Sequence, residues 1–501
     1  MKEKNRLHPI MFAGTGSDVG KSIVAAAFCR IFRQDGYSPA PFKAQNMALN
    51  SYATPEGLEI GRAQAVQAEA AGIPCHTDMN PLLLKPQSDH TSQVVLNGKP
   101  IGNRHAYDYF RKEGRAELRV AVCEAYDRLS ERYNPIVLEG AGSLAEINLR
   151  DSDLVNMPMA MHANANVVLV GDIDRGGVFA SVYGSLVLLT PEERKRVKGI
   201  IINKFRGDIR LFESGIKMLE ELCGIPVLGV IPYYKDIHIE EEDSVVLATK
   251  AIQAEKGKVN VAVVLLRHIS NFTDFNVLER DPRVHLFYTN NVDELDKADI
   301  ILLPGSKSTI DDLYELRRNG VAQAIIRAHR RGATVMGICG GYQMMGQQIL
   351  DPDHVEGELE ALPGLGLLPM VTRMSGEKVT RQVKFQLHRG GDEAMHGYEI
   401  HMGVTTAIEG EKVQPLTLME NGETDGCLVN ETCMGTYIHG ILDNASFIDF
   451  LLQPHAHKLT EEATAFDYQQ FKEQQYDKLA DHVRAHVRLP LIYQILTEDH
   501  D

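Results

Sequence analysis

Short apolar runs alternate with longer amphipathic or polar segments along most of this chain. The clearest runs are residues 10–14, 38–42, 136–139, 166–172, 198–205, 259–266, 299–303 and 334–338. Runs of this length with polar, glycine or proline flanks are typical of strands buried on both faces. Buried strands that alternate with helical stretches predict parallel sheets covered by helices. We therefore expect an α/β fold with two doubly wound domains.

A charged stretch separates the two series of strands. It contains the acidic run Glu240–Asp243 and ends in a cluster of charges at Glu255–Lys258. A chain of 501 residues is also longer than one hydrophobic core ordinarily supports. We predict an N-terminal domain over residues 1–235, a linker over 236–257 and a C-terminal domain over 258–501, with charged helices from about Thr460.

The composition narrows the classes of partner. The net charge of -16 argues against non-specific nucleic-acid binding, and no run reaches the length of about 20 apolar residues that a membrane helix needs. The seven cysteines are scattered and contain no CxxC pair, which favours a reducing compartment. We expect a cytoplasmic enzyme with neither membrane nor nucleic-acid partners, and a homo-oligomer stays open.

One apolar run breaks on glycines around Cys339. Gly337, Gly340 and Gly341 permit a tight turn from a strand into a helix that starts at about Tyr342. The N-terminus of that helix would favour a thiolate and hold an oxyanion. The pattern indicates a nucleophilic cysteine, and the alternative is a buried structural cysteine.

A second glycine-rich turn follows the first apolar run. It consists of Gly14, Thr15, Gly16, Ser17, Asp18, Val19, Gly20, Lys21 and Ser22. Between a strand and a helix, such a loop cradles the phosphates of ATP with its N–H groups, while Lys21 neutralises charge and the Ser22 hydroxyl reaches Mg²⁺. Five residues separate Gly14 from Gly20 instead of the common four. This spacing resembles the loop of the dethiobiotin synthetase-like ATPases.

Polar residues at the ends of other predicted strands are further candidates, because ligands bind at the carboxyl edge of parallel sheets. Candidates for phosphate or substrate contacts are Lys43, Gln45, Asn46, Asn50 and Arg175. Asn203 is a candidate for reading a purine edge. The alternative for the Lys43 loop is a solvated surface loop.

Glu139 ends the apolar run 136–139 and is the metal candidate together with Ser22. Mg²⁺ prefers a few oxygen ligands beside phosphate oxygens, which a carboxylate near a phosphate loop supplies. A helix-capping role is the alternative for Glu139.

A catalytic cysteine generally needs a base, and two histidines follow Cys339 in suitable segments. His439 lies at the end of a predicted strand, whereas His401 lies within one and has packing as its alternative role. The turn at Pro304–Ser306 would bring backbone N–H groups towards an oxyanion.

The segment from Gly337 to Gln343, followed about a hundred residues later by Tyr-Ile-His439-Gly, resembles the triad-type (class I) glutamine amidotransferases, which have a flavodoxin-like sheet. By this resemblance Cys339 attacks the glutamine carboxamide and His439 moves the proton. Gln343 helps to hold glutamine, and Gly305 and Gly340 supply oxyanion N–H groups.

One element of that family pattern is missing. Most triad domains have Glu two residues after the histidine, but position 441 is Ile, and Glu399 is a weak substitute. The variant without this Glu resembles the branch that contains the cobyric acid and cobyrinic acid a,c-diamide synthases. Residues 41–51, 138–143, 171–177 and 397–402 resemble the cobyric acid synthase family in particular.

This resemblance implies amidation of the b, d, e and g carboxylates of adenosylcobyrinic acid a,c-diamide, a corrinoid substrate, with glutamine and ATP consumed. A carboxylate has no viable leaving group, so ATP would convert it to an acyl phosphate with the help of Mg²⁺. Ammonia made at Cys339 would then displace phosphate, and an internal passage for ammonia is expected. Two rival functions are an a,c-diamide synthase and a regulatory P-loop ATPase with a decayed amidotransferase-like domain.

Overall fold

The structure is a computed structural model, and it describes residues 5–86, 91–105, 115–240, 250–356, 359–389, 393–459 and 466–498. The chain divides into two compact units. Unit 1 comprises Met1–Ala48, Ile60–Ile239 and Phe471–Asp501, and unit 2 comprises Leu49–Glu59 and Glu240–Gln470. The border at Ile239 falls inside the predicted linker, of which residues 241–249 lie outside the described part. In the described ranges, no helix is both long and apolar enough to span a membrane.

Strands and helices alternate through the first half of the chain. The strands are β1 (Ile10–Gly14), β2 (Ala40–Phe42), β3 (Gln45–Met47), β4 (Ser51–Ala53), β5 (Glu59–Gly61), β6 (Leu82–Pro86), β7 (Thr91–Leu96), β8 (Lys99–His105), β9 (Ile136–Glu139), β10 (Asn166–Asp172), β11 (Val197–Phe205) and β12 (Val227–Pro232). The helices are α1 (Lys21–Gln34), α2 (Arg62–Ala71), α3 (Arg115–Arg132), α4 (Met157–His162), α5 (Val178–Val187), α6 (Pro191–Arg196) and α7 (Glu213–Cys223).

Unit 1 is built on a parallel sheet in the order β12-β11-β10-β1-β9-β2. The phosphate-loop strand β1 is therefore central, between β10 and the strand that ends in Glu139. A second sheet has the order β3-β6-β7-β8. The doubly wound α/β prediction is confirmed for this unit.

The C-terminal helices α13 (Tyr468–His486) and α14 (Leu489–Thr497) correct the predicted domain boundaries. Their side chains Tyr476, Leu479, Ala480, Val483, Ile492 and Leu496 are buried in one cluster with Phe12, Phe28 and Val168 of unit 1. The prediction of one domain over residues 258–501 assumes that the domain is continuous in sequence. The apolar faces of these helices instead complete the core around α1, so residues 471–501 belong to unit 1.

The second half of the chain begins a new series of elements. The strands are β13 (Val259–Val264), β14 (Ile269–Ser270), β15 (Val284–Thr289), β16 (Ile300–Leu303), β17 (Gly305–Ser306), β18 (Thr334–Ile338), β19 (Gln348–Leu350), β20 (Ala361–Pro363), β21 (Met370–Leu387), β22 (Met395–Ala407), β23 (Thr417–Met419), β24 (Thr424–Asp425), β25 (Cys427–Asn430), β26 (Cys433–Thr436) and β27 (Ile438–His439). The helices are α8 (Val292–Leu295), α9 (Thr309–Arg318), α10 (Val321–Arg330), α11 (Gly340–Met345) and α12 (Ala445–Leu452).

Unit 2 contains the second predicted sheet, in the order β15-β13-β16-β18-β26-β25. All neighbours pair in parallel except β25, which runs antiparallel to β26. The largest part of a further sheet is the antiparallel pair of β21 and β22. β22 also pairs antiparallel with β27, which places Tyr398 opposite His439. This pairing fixes the strand that carries His439.

The segment Leu49–Glu59 belongs to unit 2 although it comes early in the chain. The Ser51 N–H donates to the Asn271 side chain at 3.0 Å, and the Tyr52 ring packs edge-on against Tyr398 with centroids 4.5 Å apart. The prediction placed this segment in the N-terminal domain, so the boundary is corrected here as well.

Candidate active sites

Cys339 lies at the sharp turn between β18 and α11. Its backbone has φ 52° and ψ -111°, a conformation that costs a non-glycine residue on the order of 1–3 kcal/mol. The residue is 7% exposed, and its thiol donates to the Ile400 carbonyl at 3.5 Å. The structure therefore places the thiol at a strained elbow that begins at the end of a buried strand.

His439 is fully enclosed beside Cys339 and is held by a carboxylate. Its Nδ1 lies 2.7 Å from Oδ2 of Asp274, whose other oxygen accepts the Gly440 N–H at 3.0 Å. Burial opposes the charged imidazolium, but the Asp274 carboxylate and hydrogen bonds to Asp274 and Cys339 raise the pKa of His439 to about 10. The three side chains form a Cys-His-Asp arrangement, in which the Asp274 carboxylate favours an imidazolium at His439 beside the Cys339 sulfur.

Backbone groups of β17 lie against this arrangement. A Cβ atom added to Gly305 would stand 3.3 Å from Cε1 of His439, and one added to Gly340 would stand 2.8 Å from the Ser306 nitrogen. Only glycine fits at position 340 without moving β17. The turn predicted at residues 304–306 and the residue after Cys339 are thus brought together.

Gln343 is buried behind the elbow, and its side-chain amide forms hydrogen bonds to other parts of the protein. The side-chain NH₂ donates to the Met402 carbonyl at 2.8 Å and to the Tyr437 hydroxyl at 3.1 Å, while its oxygen accepts from Thr309 at 3.3 Å. Gln343 thus ties α11 to β22.

The two other residues weighed beside His439 have different roles. The His401 ring stacks on Tyr437 with centroids 3.7 Å apart, and burial lowers its pKa to about 4, which fits its alternative role in packing. The Glu399 carboxylate pairs with Arg381. Asp274 occupies the position for which Glu399 was proposed, so that expectation is corrected.

The phosphate loop in unit 1 has the predicted strand, turn and helix. Gly20 has φ 94°, and a Cβ there would stand 2.2 Å from the Asn203 side-chain nitrogen, which itself donates to the Val19 carbonyl at 2.9 Å. Asn203 thus supports the loop backbone. Lys21 donates to the Gly16 carbonyl at 2.8 Å and to the Gly142 carbonyl at 3.0 Å.

Burial lowers the pKa of Lys21 to about 8, and Lys43 adds to this shift while Glu139 and Asp18 oppose it. A buried ammonium at the edge of the loop is stabilised by an anion. This electrostatic setting suits a phosphate group.

Glu139 is the centre of a buried polar cluster next to the loop. Its carboxylate accepts from the Ser22 hydroxyl at 2.8 Å, from the Lys43 ammonium at 2.8 Å and from the Gln67 amide at 2.7 Å. Burial would raise the pKa of Glu139, but Lys43, Gln67 and Ser22 lower it overall, so the group is a carboxylate at neutral pH.

The hydroxyl and carboxylate oxygens of Ser22 and Glu139 are the hard donors that Mg²⁺ prefers beside phosphate oxygens, so the residues fit this ion. Among the described residues there is no group of three or more His, Cys, Asp or Glu side chains that would hold a metal without substrate oxygens. Phosphate oxygens and water would complete the coordination of Mg²⁺.

The other substrate candidates are dispersed. Asn46 donates to Gln64 at 3.1 Å, and Gln45 accepts from Arg115 at 3.4 Å. Arg175 is 70% exposed and lies 3.6 Å from Asp18 of the phosphate loop. Asn50 belongs to unit 2 rather than to unit 1 with Lys43. Lys43 itself joins the Glu139 cluster.

Sequence reasoning missed two side chains of these sites, Asp274 and Gln67. Asp274 lies 165 positions before His439, so no local spacing links them. Gln67 sits on the Ala-rich helix α2, where its pattern is that of a buried amphipathic helix. Neither residue is marked by its neighbours in the sequence, because each lies among other polar residues.

Two family models match the chain, and together they cover both units. The CobQ/CobB/MinD/ParA nucleotide binding domain matches residues 10–246, and the CobB/CobQ-like glutamine amidotransferase domain matches residues 260–447. The fold and the sites therefore define a nucleotide-binding domain joined to a glutamine amidotransferase domain in one chain.

Relatives share this organisation over their whole length. A cobyric acid synthase of Bacteroides fragilis (strain ATCC 25285) is 78% identical over 494 residues, covering 98% of this chain and 99% of its own. Those of Phocaeicola vulgatus and Parabacteroides distasonis are 74% and 60% identical, covering 99% and 98% of this chain and 99% of their own lengths. The chain belongs to the cobyric acid synthase family.

Proposed function

We propose that this protein is an ATP-dependent, glutamine-hydrolysing amide synthase that acts on a corrinoid. Its substrate is adenosylcobyrinic acid a,c-diamide, and its product carries amides at the b, d, e and g carboxylates. The observation that carries the proposal is the Cys339-His439-Asp274 arrangement in a chain whose other unit has a phosphate loop. The names of the full-length relatives support this substrate over cobyrinic acid, the substrate of an a,c-diamide synthase.

At the first site, the Cys339 thiolate attacks the glutamine carboxamide and the His439 imidazolium gives its proton to the leaving ammonia. Asp274 holds Nδ1 of His439, which leaves Nε2 for this transfer. Water then releases glutamate with His439 as the base. Gln343 shapes the pocket for glutamine.

We assign the oxyanion N–H groups to Ser306 and Gly340, in place of Gly305. Lys307 donates its N–H to the His268 carbonyl at 3.0 Å, and Ile269 lies opposite Ser306 in the antiparallel pair of β14 and β17. Successive residues of such a ladder direct their amides to opposite sides. The Ser306 N–H therefore points away from β14, and its nitrogen lies close to Gly340.

At the second site, the N–H groups of residues 14–20 and the ammonium groups of Lys21 and Lys43 position the phosphates of ATP and offset their charge. Ser22 and Glu139 would hold Mg²⁺, which supplies further charge neutralisation when bound. A carboxylate activated as an acyl phosphate is then open to attack by ammonia. We also propose a cytoplasmic location, which agrees with seven cysteines that form no disulfide in the structure.

The variant Cys339→Ala tests whether glutamine hydrolysis and amidation take place at separate sites. Glutamate release should fall at least 10³-fold because the nucleophile is lost, while amidation with added ammonium should stay within about twofold of the native rate. The matched control is Cys433→Ala, which removes a buried thiol from β26 and should retain glutaminase activity.

Three results would contradict the proposal in different ways. Loss of ammonium-dependent amidation in Cys339→Ala would overturn the two-site scheme. Two added amides per product, counted by mass spectrometry, would identify an a,c-diamide synthase. No glutamate from the native protein with corrinoid and ATP present would favour a regulatory ATPase.

A further inference from the structure

A second buried carboxylate, Asp312 on α9, bridges the two short strands beside Cys339. Its Oδ2 accepts from the Ser306 hydroxyl of β17 at 2.6 Å, and its Oδ1 lies 3.0 Å from Nδ1 of His268, which precedes β14. The His268 backbone N–H also donates to both oxygens, at 3.2 and 3.3 Å. Asp312 is 2% exposed, so little solvent competes for these bonds.

The Ser306 hydroxyl completes a local clamp. While it donates to Asp312, its oxygen accepts the Ser308 N–H at 3.0 Å. The Ser306 side chain is therefore fixed from both directions, and its own backbone N–H is the oxyanion donor assigned above. Because β17 is only two residues long, its ladder bonds alone give little rigidity.

The strand β14, which pairs with β17, lies shortly before the triad residue Asp274 in the chain. Ile269 and Ser270 pair with β17, and the same segment continues to Asp274, which holds His439. Asp312 thus fixes the donor strand β17 directly through Ser306, and again through His268 at the start of the strand that pairs with it. A charge-assisted bond to His268, whose pKa the Asp312 hydrogen bond raises, strengthens this fixation.

We propose that Asp312 is a positioning residue for glutamine hydrolysis, which acts through Ser306 and His268 to hold the Ser306 N–H at the oxyanion. It touches no reacting atom. An oxyanion donor acts on the transition state more than on bound glutamine, so a displaced donor lowers kcat and leaves KM nearly unchanged. The inference rests on the glutaminase function proposed above.

The test compares Asp312→Asn, Ser306→Ala and the double variant in the full chain, with Glu315→Gln as control. Glu315 lies on the same helix with a side chain 43% exposed, and its variant removes the same charge. We expect Asp312→Asn to lower kcat for glutamine about 10- to 100-fold with KM within about twofold. The double variant should be no more than about twofold worse than Asp312→Asn, because both changes break one clamp.

Alkylation of Cys339 by iodoacetamide, followed by mass spectrometry, separates positioning from collapse of the site. This reaction needs the thiolate but no oxyanion donor, so its rate should stay within about twofold in Asp312→Asn. Thermal unfolding shows whether each variant is folded.

The inference would be overturned by a rise in KM at constant kcat, by parallel losses of kcat and of the alkylation rate, by effects of Asp312→Asn and Ser306→Ala that multiply in the double variant, or by a Glu315→Gln effect of equal size. If the native chain releases no glutamate, the proposed function fails instead. If the native chain is active and Asp312→Asn equals it, only this inference fails.

Discussion

At the scale of single residues, the reactivity of Cys339 depends on a carboxylate that local sequence does not reveal. The conventional position two residues after the histidine is Ile441, and Asp274 approaches His439 from a short 3₁₀ helix over Phe272–Phe275. The imidazolium is buried, so a negative partner is required to keep it charged. Asp274 supplies that charge and also holds the Gly440 N–H.

Asp274→Asn should lower kcat for glutamine hydrolysis by about 10²- to 10⁴-fold, since the amide neither stabilises the imidazolium nor holds the neutral imidazole in the correct tautomer. Alkylation of Cys339 at neutral pH should slow as well, which distinguishes this variant from Asp312→Asn. Glu399→Gln is the matched control: it alters a buried carboxylate that bonds Arg381, and should change both rates far less.

Asp274→Asn should also change how the rate of Cys339 alkylation depends on pH. A histidine with a raised pKa contributes stability that is fully present below its ordinary value of 6.5 and is lost as pH rises through about 10. Without the Asp274 charge, His439 should lose its proton at lower pH and no longer favour the thiolate, so the rise of the Cys339 alkylation rate with pH should move to higher pH. An unchanged rise would show that Asp274 does not set the charge of His439.

The contrast between Cys339 and Asp274 explains what sequence reasoning can reach at this scale. Cys339 and Lys21 sit in turns whose glycine spacing is a local property, so their positions could be predicted. Asp274, Asp312 and Gln67 act through contacts across distant segments, and a single buried acid or amide carries no marker of its partner in the sequence. The free amide of β17 likewise depends on strand register.

At the scale of elements, the parallel strands were predictable because their apolar runs are nearly continuous. The strand β21 was not, since residues 375–382 in the middle of its 18 residues are exposed or half-buried, and charged side chains interrupt its apolar positions. Helices α13 and α14 were predictable as helices only. Their amphipathic pattern indicates that one face of each helix is buried. It does not indicate that this face packs against unit 1.

Leu479→Ala tests the structural assignment of α13. Leu479 is buried in the unit 1 cluster, and truncation of a buried leucine costs about 2–5 kcal/mol. Hydrogen exchange in the full chain should become faster in α1, whose residues share this core, and remain unchanged around the Cys339 elbow.

Leu451→Ala on α12 is the reciprocal control, because Leu451 is equally buried in unit 2. It should leave exchange in α1 unchanged. If Leu479→Ala instead loosened the elbow and spared α1, the assignment of the C-terminal helices to unit 1 would be wrong.

At the scale of the whole molecule, two chemistries occupy separate compact units of one chain. The thiol site lies within unit 2, and the phosphate site lies within unit 1. Each has its own buried charges, so each should respond separately to substitution. The chain passes from Ala48 of unit 1 into Leu49–Glu59 of unit 2 and returns to unit 1 at Ile60. Neither unit is therefore one continuous stretch of sequence.

Lys21→Ala should therefore stop amidation with glutamine and with ammonium alike, by at least about 10²-fold, because the lost ammonium neutralises phosphate charge in the transition state. Glutamate release should persist, since Cys339, His439 and Asp274 are untouched. Lys195→Ala on α6 is the control for a loss of surface charge in unit 1.

The decisive measurement counts phosphate, glutamate and amide together in the native protein and in Lys21→Ala. Activation of each carboxylate consumes one ATP and each amide one glutamine, so the native ratio should approach one to one to one. In Lys21→Ala phosphate and amide should vanish together while glutamate continues. Amidation that survives in Lys21→Ala with ammonium would place carboxylate activation outside the phosphate loop, and glutamate that vanishes would show that glutamine hydrolysis requires an intact nucleotide site.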